Sequence, residues 1–137
     1  MRLKKLTMNA FGPFKDKVVI DFENDKINRG LLLISGDTGA GKTTVFDAIC
    51  FALYGQTSGE SRAVGSLKSD FALPGVEPYV NLEFYYKNKF YEVKRVPEYT
   101  RPNKRGPGEV KQSQKAEFEI NGIKVAIIRL IVYLCNR

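Results

Sequence analysis

The sequence predicts an α/β fold: a mixed β-sheet of antiparallel hairpins joined to a single strand–loop–helix unit. Three observations carry that prediction. Residues 31–34 (Leu-Leu-Leu-Ile) form a short apolar run, the pattern of a strand buried on both faces. Val45, Ala48, Ile49, Ala52 and Leu53 then recur at helical spacing, and Gly55 follows where a helix C-cap is expected. Elsewhere the apolar residues alternate with period two around tight turn pairs.

Between that strand and that helix lies Gly36-Asp37-Thr38-Gly39-Ala40-Gly41-Lys42-Thr43-Thr44, a complete G-x-x-x-x-G-K-T phosphate-binding loop. Each position has a chemical reason. The glycines let successive backbone N–H groups point inward at phosphate oxygens. Lys42 reaches the β- and γ-phosphates, the Thr43 hydroxyl ligates Mg²⁺, and the helix adds its positive N-terminal end. Chance alone would place these four fixed positions in about one chain in two hundred of this length. The loop predicts a nucleoside triphosphate, ATP with Mg²⁺, as the ligand.

In chain order, residues 3–9 read as a strand, residues 10–14 (Ala-Phe-Gly-Pro-Phe) as a turn, and residues 17–22 as a second strand. Val18-Val19-Ile20-Asp21 imitates a Walker B strand, but its place before the phosphate loop and after a tight turn makes it the return strand of a hairpin. Residues 56–69, with Gly59, Gly65 and four serines, read as a loop. Residues 78–86 and 89–96 alternate on either side of Lys87-Asn88, a hairpin. Residues 97–115 lose all periodicity to three prolines and two glycines and read as a loop, with Arg101, Lys104, Arg105, Lys111 and Lys115 against Glu98 and Glu109. Residues 116–120 and 123–125 form a further hairpin around Asn121-Gly122.

Composition narrows the function. At 137 residues the chain is one domain or part of one. Its net charge of +7 favours polyanionic partners. With no histidine, His-based acid–base catalysis and His-ligated metal are excluded, leaving an oxygen-bound metal. The two cysteines, Cys50 and Cys135, fit reduced thiols and a cytoplasmic location. No apolar stretch nears the roughly twenty residues of a membrane span, so no membrane partner is expected. Downstream of the loop no apolar strand ends in Asp, so a water-orienting acid and a second Mg²⁺ ligand are not found; the chain reads as the first half of an ATPase.

Residues 3–14 (Leu-Lys-Lys-Leu-Thr-Met-Asn-Ala-Phe-Gly-Pro-Phe), the loop from Gly36 to Thr44, and residues 46–55 (Phe-Asp-Ala-Ile-Cys-Phe-Ala-Leu-Tyr-Gly) resemble the N-terminal ATPase lobe of the SbcC family. These are the large subunits of bacterial SbcCD nucleases, related to the SMC-type chromosome-maintenance ATPases. Residues 68–72 (Lys-Ser-Asp-Phe-Ala) and 97–106 agree as well. The resemblance implies the N-terminal half of an ABC-type P-loop NTPase head over residues 1–125. Residues 38–44 would line the triphosphate, with Gly12 and the segment Lys68, Ser69, Asp70 near the nucleotide. It also implies an SbcD-like nuclease partner, a second head in an ATP-dependent dimer, double-stranded DNA, and a nucleoid-associated setting. Family members continue into a glutamine loop, a coiled coil, and a second lobe with the signature motif and Walker B acids, none of which is found here. Residues 126–137 are almost continuously apolar where the family has a charged helix, and the expectation is a truncated or frame-shifted end.

Two other functions compete. A self-sufficient small-molecule P-loop kinase is disfavoured, because no Arg-rich lid or acceptor site follows the loop. A nucleic-acid-binding module with a vestigial loop would rest on Arg101, Lys104 and Arg105, with contacts to phosphates rather than bases.

Overall fold

Alternation decides the sheet. The computed structural model describes residues 1–23, 33–59 and 67–125. Among them the elements are β1 (Arg2–Asn9), β2 (Val18–Asp21), α1 (Lys42–Tyr54), β3 (Tyr79–Tyr86), β4 (Lys89–Val96), β5 (Tyr99–Pro102), β6 (Glu109–Gln112), β7 (Lys115–Ile120) and β8 (Ile123–Lys124). One sheet runs β2-β1-β3-β4-β7-β8 with every neighbouring pair antiparallel, and β5-β6 form a separate ribbon.

Register sorts the side chains into two faces. Ile20, Leu6, Leu82, Val93 and Phe118 are successive cross-strand partners from β2 to β7. That row belongs to the core or packs on it. The next row, Val19, Thr7, Asn81, Lys94 and Glu117, takes the opposite face, as a period of two requires. The hairpin turns fall as the sequence predicts. Lys87 and Asn88 have φ of 47° and 59°, and Asn121 and Gly122 have 50° and 78°, the positive-φ pairs that match strand twist. Antiparallel pairing of β2 with β1 bears out the hairpin reading of residues 17–22 over the Walker B reading.

The helix covers the inner face. Val45, Ala48, Phe51, Ala52 and Leu53 are buried against Leu82, Phe84 and Val93 in one cluster, and Ile49 is half-buried. Phe51 lies outside the predicted stripe, yet it is fully buried, with its ring centroid 6.0 Å from that of Phe11. Burial of such a ring contributes about 1.5–3 kcal/mol and fastens the turn after β1 to the helix. Gly55 ends α1 in the left-handed region, its N–H donating to Phe51 O at 2.8 Å.

Three predictions need correction or restriction. The buried strand at residues 31–34 is not found where the structure describes it. Leu33 is 84% exposed and residues 33–37 carry no strand. Among the described residues no strand lies beside them, so their N–H and C=O groups have no ladder to join; residues 31 and 32 fall outside the description. Among the described residues every strand pairing in the sheet is antiparallel, within the α/β fold the sequence predicts. The loop predicted at residues 97–115 contains the β5–β6 ribbon, whose strands are only four residues each. The tail 126–137 and residues 60–66 of the predicted loop lie outside the described residues. No helix among the described residues is long and apolar enough to cross a membrane.

Candidate functional site

Two chain segments that are far apart in sequence close around the phosphate loop. After β1, Phe11 and Phe14 exchange backbone hydrogen bonds, N–H of each to C=O of the other, at 3.0 and 3.1 Å. Phe11 also bridges to Lys68 as an antiparallel pair, with Gly12 N–H donating to Leu67 O at 2.9 Å and Ser69 N–H to Ala10 O at 2.8 Å. Residues 10–14 and 67–70 are thereby fixed to each other, and residues 12–14 sit against the start of α1.

Steric fit demands glycine at two places. Gly41, the residue before α1, has φ of +86°, and a Cβ there would lie 2.7 Å from Phe14 Cζ. Gly12 has φ of +55°, and a Cβ there would lie 2.7 Å from Thr44 Cγ2. The backbone of each segment is therefore in direct contact with the other.

The result is a cavity of about 670 Å³, within the range of small-molecule sites. Thr38, Gly39, Gly41, Lys42, Thr43 and Thr44 line one part of it. Gly12, Pro13, Lys68, Asp70 and Phe71 line the rest. Of the residues predicted near the nucleotide, four stand outside the lining. Gly36 and Asp37 turn their carbonyls to Lys42, whose Nζ donates to both at 2.6 Å. Ala40 N–H donates to Asp37 O at 3.2 Å and closes the loop's turn. Ser69 is buried beneath the cavity, with no hydrogen-bond partner for its Oγ among the described residues.

Charge at the site favours an anion. Lys42 and Lys68 face a single carboxylate, Asp70, among the lining residues. The first turn of α1 has neither a side-chain cap nor an acidic residue, so its N–H groups remain open to a bound oxyanion. An ammonium has three N–H donors, and Lys42 commits two of them to the loop carbonyls. The third is left for a bound oxyanion. This donor set, backbone N–H groups, an ammonium and the Thr43 and Thr44 hydroxyls, fits a polyphosphate. The Thr43 hydroxyl is also the hard oxygen ligand that Mg²⁺ prefers.

Lys68 links the cavity to the basic ribbon. Its Nζ donates to Pro74 O at 2.7 Å and Thr100 O at 3.5 Å and lies 5.2 Å from the centroid of the Tyr99 ring. Partial burial pushes its ammonium below the usual lysine range, and Glu109 on β6 opposes that shift. Arg101 lies on β5, and Lys104 and Arg105 lie in the turn beyond it; none of the three lines the cavity. Lys111 on β6 is paired with Glu98 at 2.8 Å.

Three residues that the sequence reading passed over support the site. Asp47 is buried in α1 and accepts from Ser58 N–H at 3.0 Å and from the Ser58 hydroxyl, holding the chain after the helix. Arg95 is buried under the C-terminal end of α1, with Nε donating to Ala52 O at 2.7 Å and Nη2 to Leu53 O at 3.3 Å. Its signal was available: Tyr91, Val93 and Arg95 fall on one face of a period-two strand. Phe71, on the cavity wall, carried no signal of its own.

Comparison with known proteins gives a consistent result. A family model described as "AAA domain" matches residues 5–133. The SbcC component of the SbcCD nuclease of Vibrio cholerae is 43% identical over 117 residues, which is 85% of this chain and 11% of that protein. The SbcC protein of Lactococcus lactis is 41% identical over 117 residues, 84% of this chain and 11% of its own length. That of Staphylococcus haemolyticus is 48% identical over 97 residues, covering 69% and 9%. The chain thus spans about a tenth of the length of these relatives. Among solved structures, the "SMC head domain from Thermotoga maritima" superposes with a TM-score of 0.52 at 22% identity, covering 97% of this chain and 42% of that one. At that identity the likeness is one of fold.

Proposed function

The chain belongs to the AAA domain family, and on that premise we propose that it is the ATP-binding N-terminal lobe of an SbcC-type ATPase head. Its similarity to the N-terminal tenth of SbcC proteins supports this reading. The observation that carries it is the convergence of the phosphate loop, Gly12 and Lys68–Asp70 on one cavity.

In this reading the backbone N–H groups of Gly39 and of residues 41–44, with the Lys42 ammonium, hold the β- and γ-phosphates. Thr43 Oγ1 would hold Mg²⁺, and Gly12 with Lys68 and Asp70 would bound the remainder of the nucleotide. When bound there, Mg²⁺ would supply charge neutralisation for the triphosphate. The side chains of this lobe bind and orient the triphosphate. Cleavage further requires an acid to orient water and a donor set facing the γ-phosphate, groups assigned here to a second lobe and a facing head. By extension from its relatives, the lobe would act with an SbcD-like nuclease partner on double-stranded DNA in the cytoplasm, near the nucleoid. The cations Arg101, Lys104 and Arg105 would meet DNA phosphates.

Phosphate release tests this division of labour. Residues 1–137 should bind ATP without steady turnover. Adding the C-terminal lobe of an SbcC protein should elicit hydrolysis, and Lys42→Ala should abolish it. Groups that act as a unit leave no proportionate residual activity. Steady Lys42-dependent turnover by the chain alone would overturn the proposal and reopen the small-kinase reading.

A further inference from the structure

Phe71 is a large apolar ring in a position that folding does not explain. It sits in a turn, with Ala72 N–H donating to Ser69 O at 3.1 Å, where small and polar residues are the rule. The ring is 74% exposed, although the turn itself is anchored by the buried Ser69 and by the Phe11–Lys68 bridge. Among the described residues lining the phosphate cavity it is the one aromatic side chain. The rest of the lining is glycine, threonine, lysine, aspartate and Pro13, a set suited to phosphate and ribose oxygens but not to the flat face of a base.

We infer that Phe71 is the platform on which the nucleobase stacks when the triphosphate occupies the loop. Every base has a π-face, and stacking on an exposed aromatic ring needs no hydrogen-bond partner. The phosphate loop then fixes the charged end of the ligand while Phe71 fixes the other. Base identity is read weakly, because stacking does not distinguish donor from acceptor edges. The inference rests on the nucleotide reading of the cavity and adds a base-binding residue to it.

Calorimetric titration of the full chain with Mg²⁺-ATP and with Mg²⁺-tripolyphosphate separates the two claims. Tripolyphosphate carries the phosphates and lacks the base. Phe71→Ala should weaken ATP by about tenfold, the scale of one lost base–aromatic stack, while tripolyphosphate affinity stays unchanged. Phe71→Tyr should retain ATP affinity. Unchanged ATP binding by Phe71→Ala would overturn the stacking role, as would an equal loss for both ligands, which marks a purely structural residue. If the unaltered chain binds neither ligand, the phosphate reading itself has failed and the stacking role falls with it. Because the ring is exposed, folding of the variants is not at stake, and the tyrosine variant controls for it.

Discussion

Gly12 and Thr44 meet at the closest approach between the turn after β1 and the first turn of α1: a Cβ on Gly12 would lie 2.7 Å from Thr44 Cγ2. The contact joins two parts of the chain that both line the cavity, so the site depends on it. Gly12→Ala should cost about 1–3 kcal/mol of stability from the left-handed φ and the clash together, and should weaken ATP binding. Thr44→Ser removes the clashing methyl and should recover part of both losses in the double variant. A double-mutant cycle in thermal unfolding and ATP titration reads this coupling, and strict additivity would argue against the contact.

Arg95 should matter for stability out of proportion to its charge. Its guanidinium satisfies two carbonyls at the end of α1 and sits where the helix dipole favours a cation. Arg95→Met keeps the apolar stem but leaves those acceptors unpaired, with an expected loss of about 2–3 kcal/mol. Urea unfolding should show a lower midpoint with an unchanged slope. No change in midpoint would mean that water replaces the guanidinium at no cost.

These two cases show what was legible in the sequence. The hairpins could be read because positive-φ turn pairs and alternating side chains are local signals. The phosphate loop is local too, and its placement before a helix followed from the spacing of Val45, Ala48 and Ala52. Arg95 was hidden by its type: a charged residue reads as solvent-facing unless its strand phase is weighed above its polarity. The β5–β6 ribbon was hidden because Pro102, Pro107 and Gly106 interrupt alternation, although its register is regular from Tyr99↔Gln112 to Pro102↔Glu109. Apolarity alone also misled at Leu33 and Ile34, the described part of the 31–34 run, where a strand needs a neighbour as well as a hydrophobic run. The long-range closure of residues 10–14 on 67–70 has no local signature. Only family resemblance placed those segments near the nucleotide, and the cavity brings Gly12, Lys68 and Asp70 together with the loop.

Cys50 should be a slow thiol. Burial, and then the neighbouring Asp47 carboxylate, push it above the usual cysteine range. In the unfolded chain the thiol ionises near its ordinary pKa of about 8.5. Folding therefore favours the protonated form. The stability contribution is complete below that pH and is lost as pH rises through the folded-state value. Alkylation mapped to the Cys50 peptide should lag a free cysteine standard at about pH 8 and accelerate at a higher pH. Reaction at the standard's rate would contradict the burial.

The basic ribbon predicts a salt-dependent, sequence-independent affinity for duplex DNA. Lys111 is neutralised by Glu98, so Arg101, Lys104 and Arg105 should supply the phosphate contacts. Each contact contributes about 0.9 to the slope of log affinity against log salt, and the triple alanine variant should lose up to about 2.7 of it. An unchanged slope would reduce the ribbon to a solvated hairpin.

The central claim is that the cavity holds the β- and γ-phosphates of ATP through Lys42 and the loop. Calorimetric titration with Mg²⁺-ATP and with AMP tests it most directly. ATP should bind more tightly than AMP, which lacks both of those phosphates, and Lys42→Ala should cost about 1.5–3 kcal/mol of ATP binding while leaving AMP unaffected. Equal affinity for ATP and AMP, or an ATP affinity indifferent to Lys42, would contradict the account.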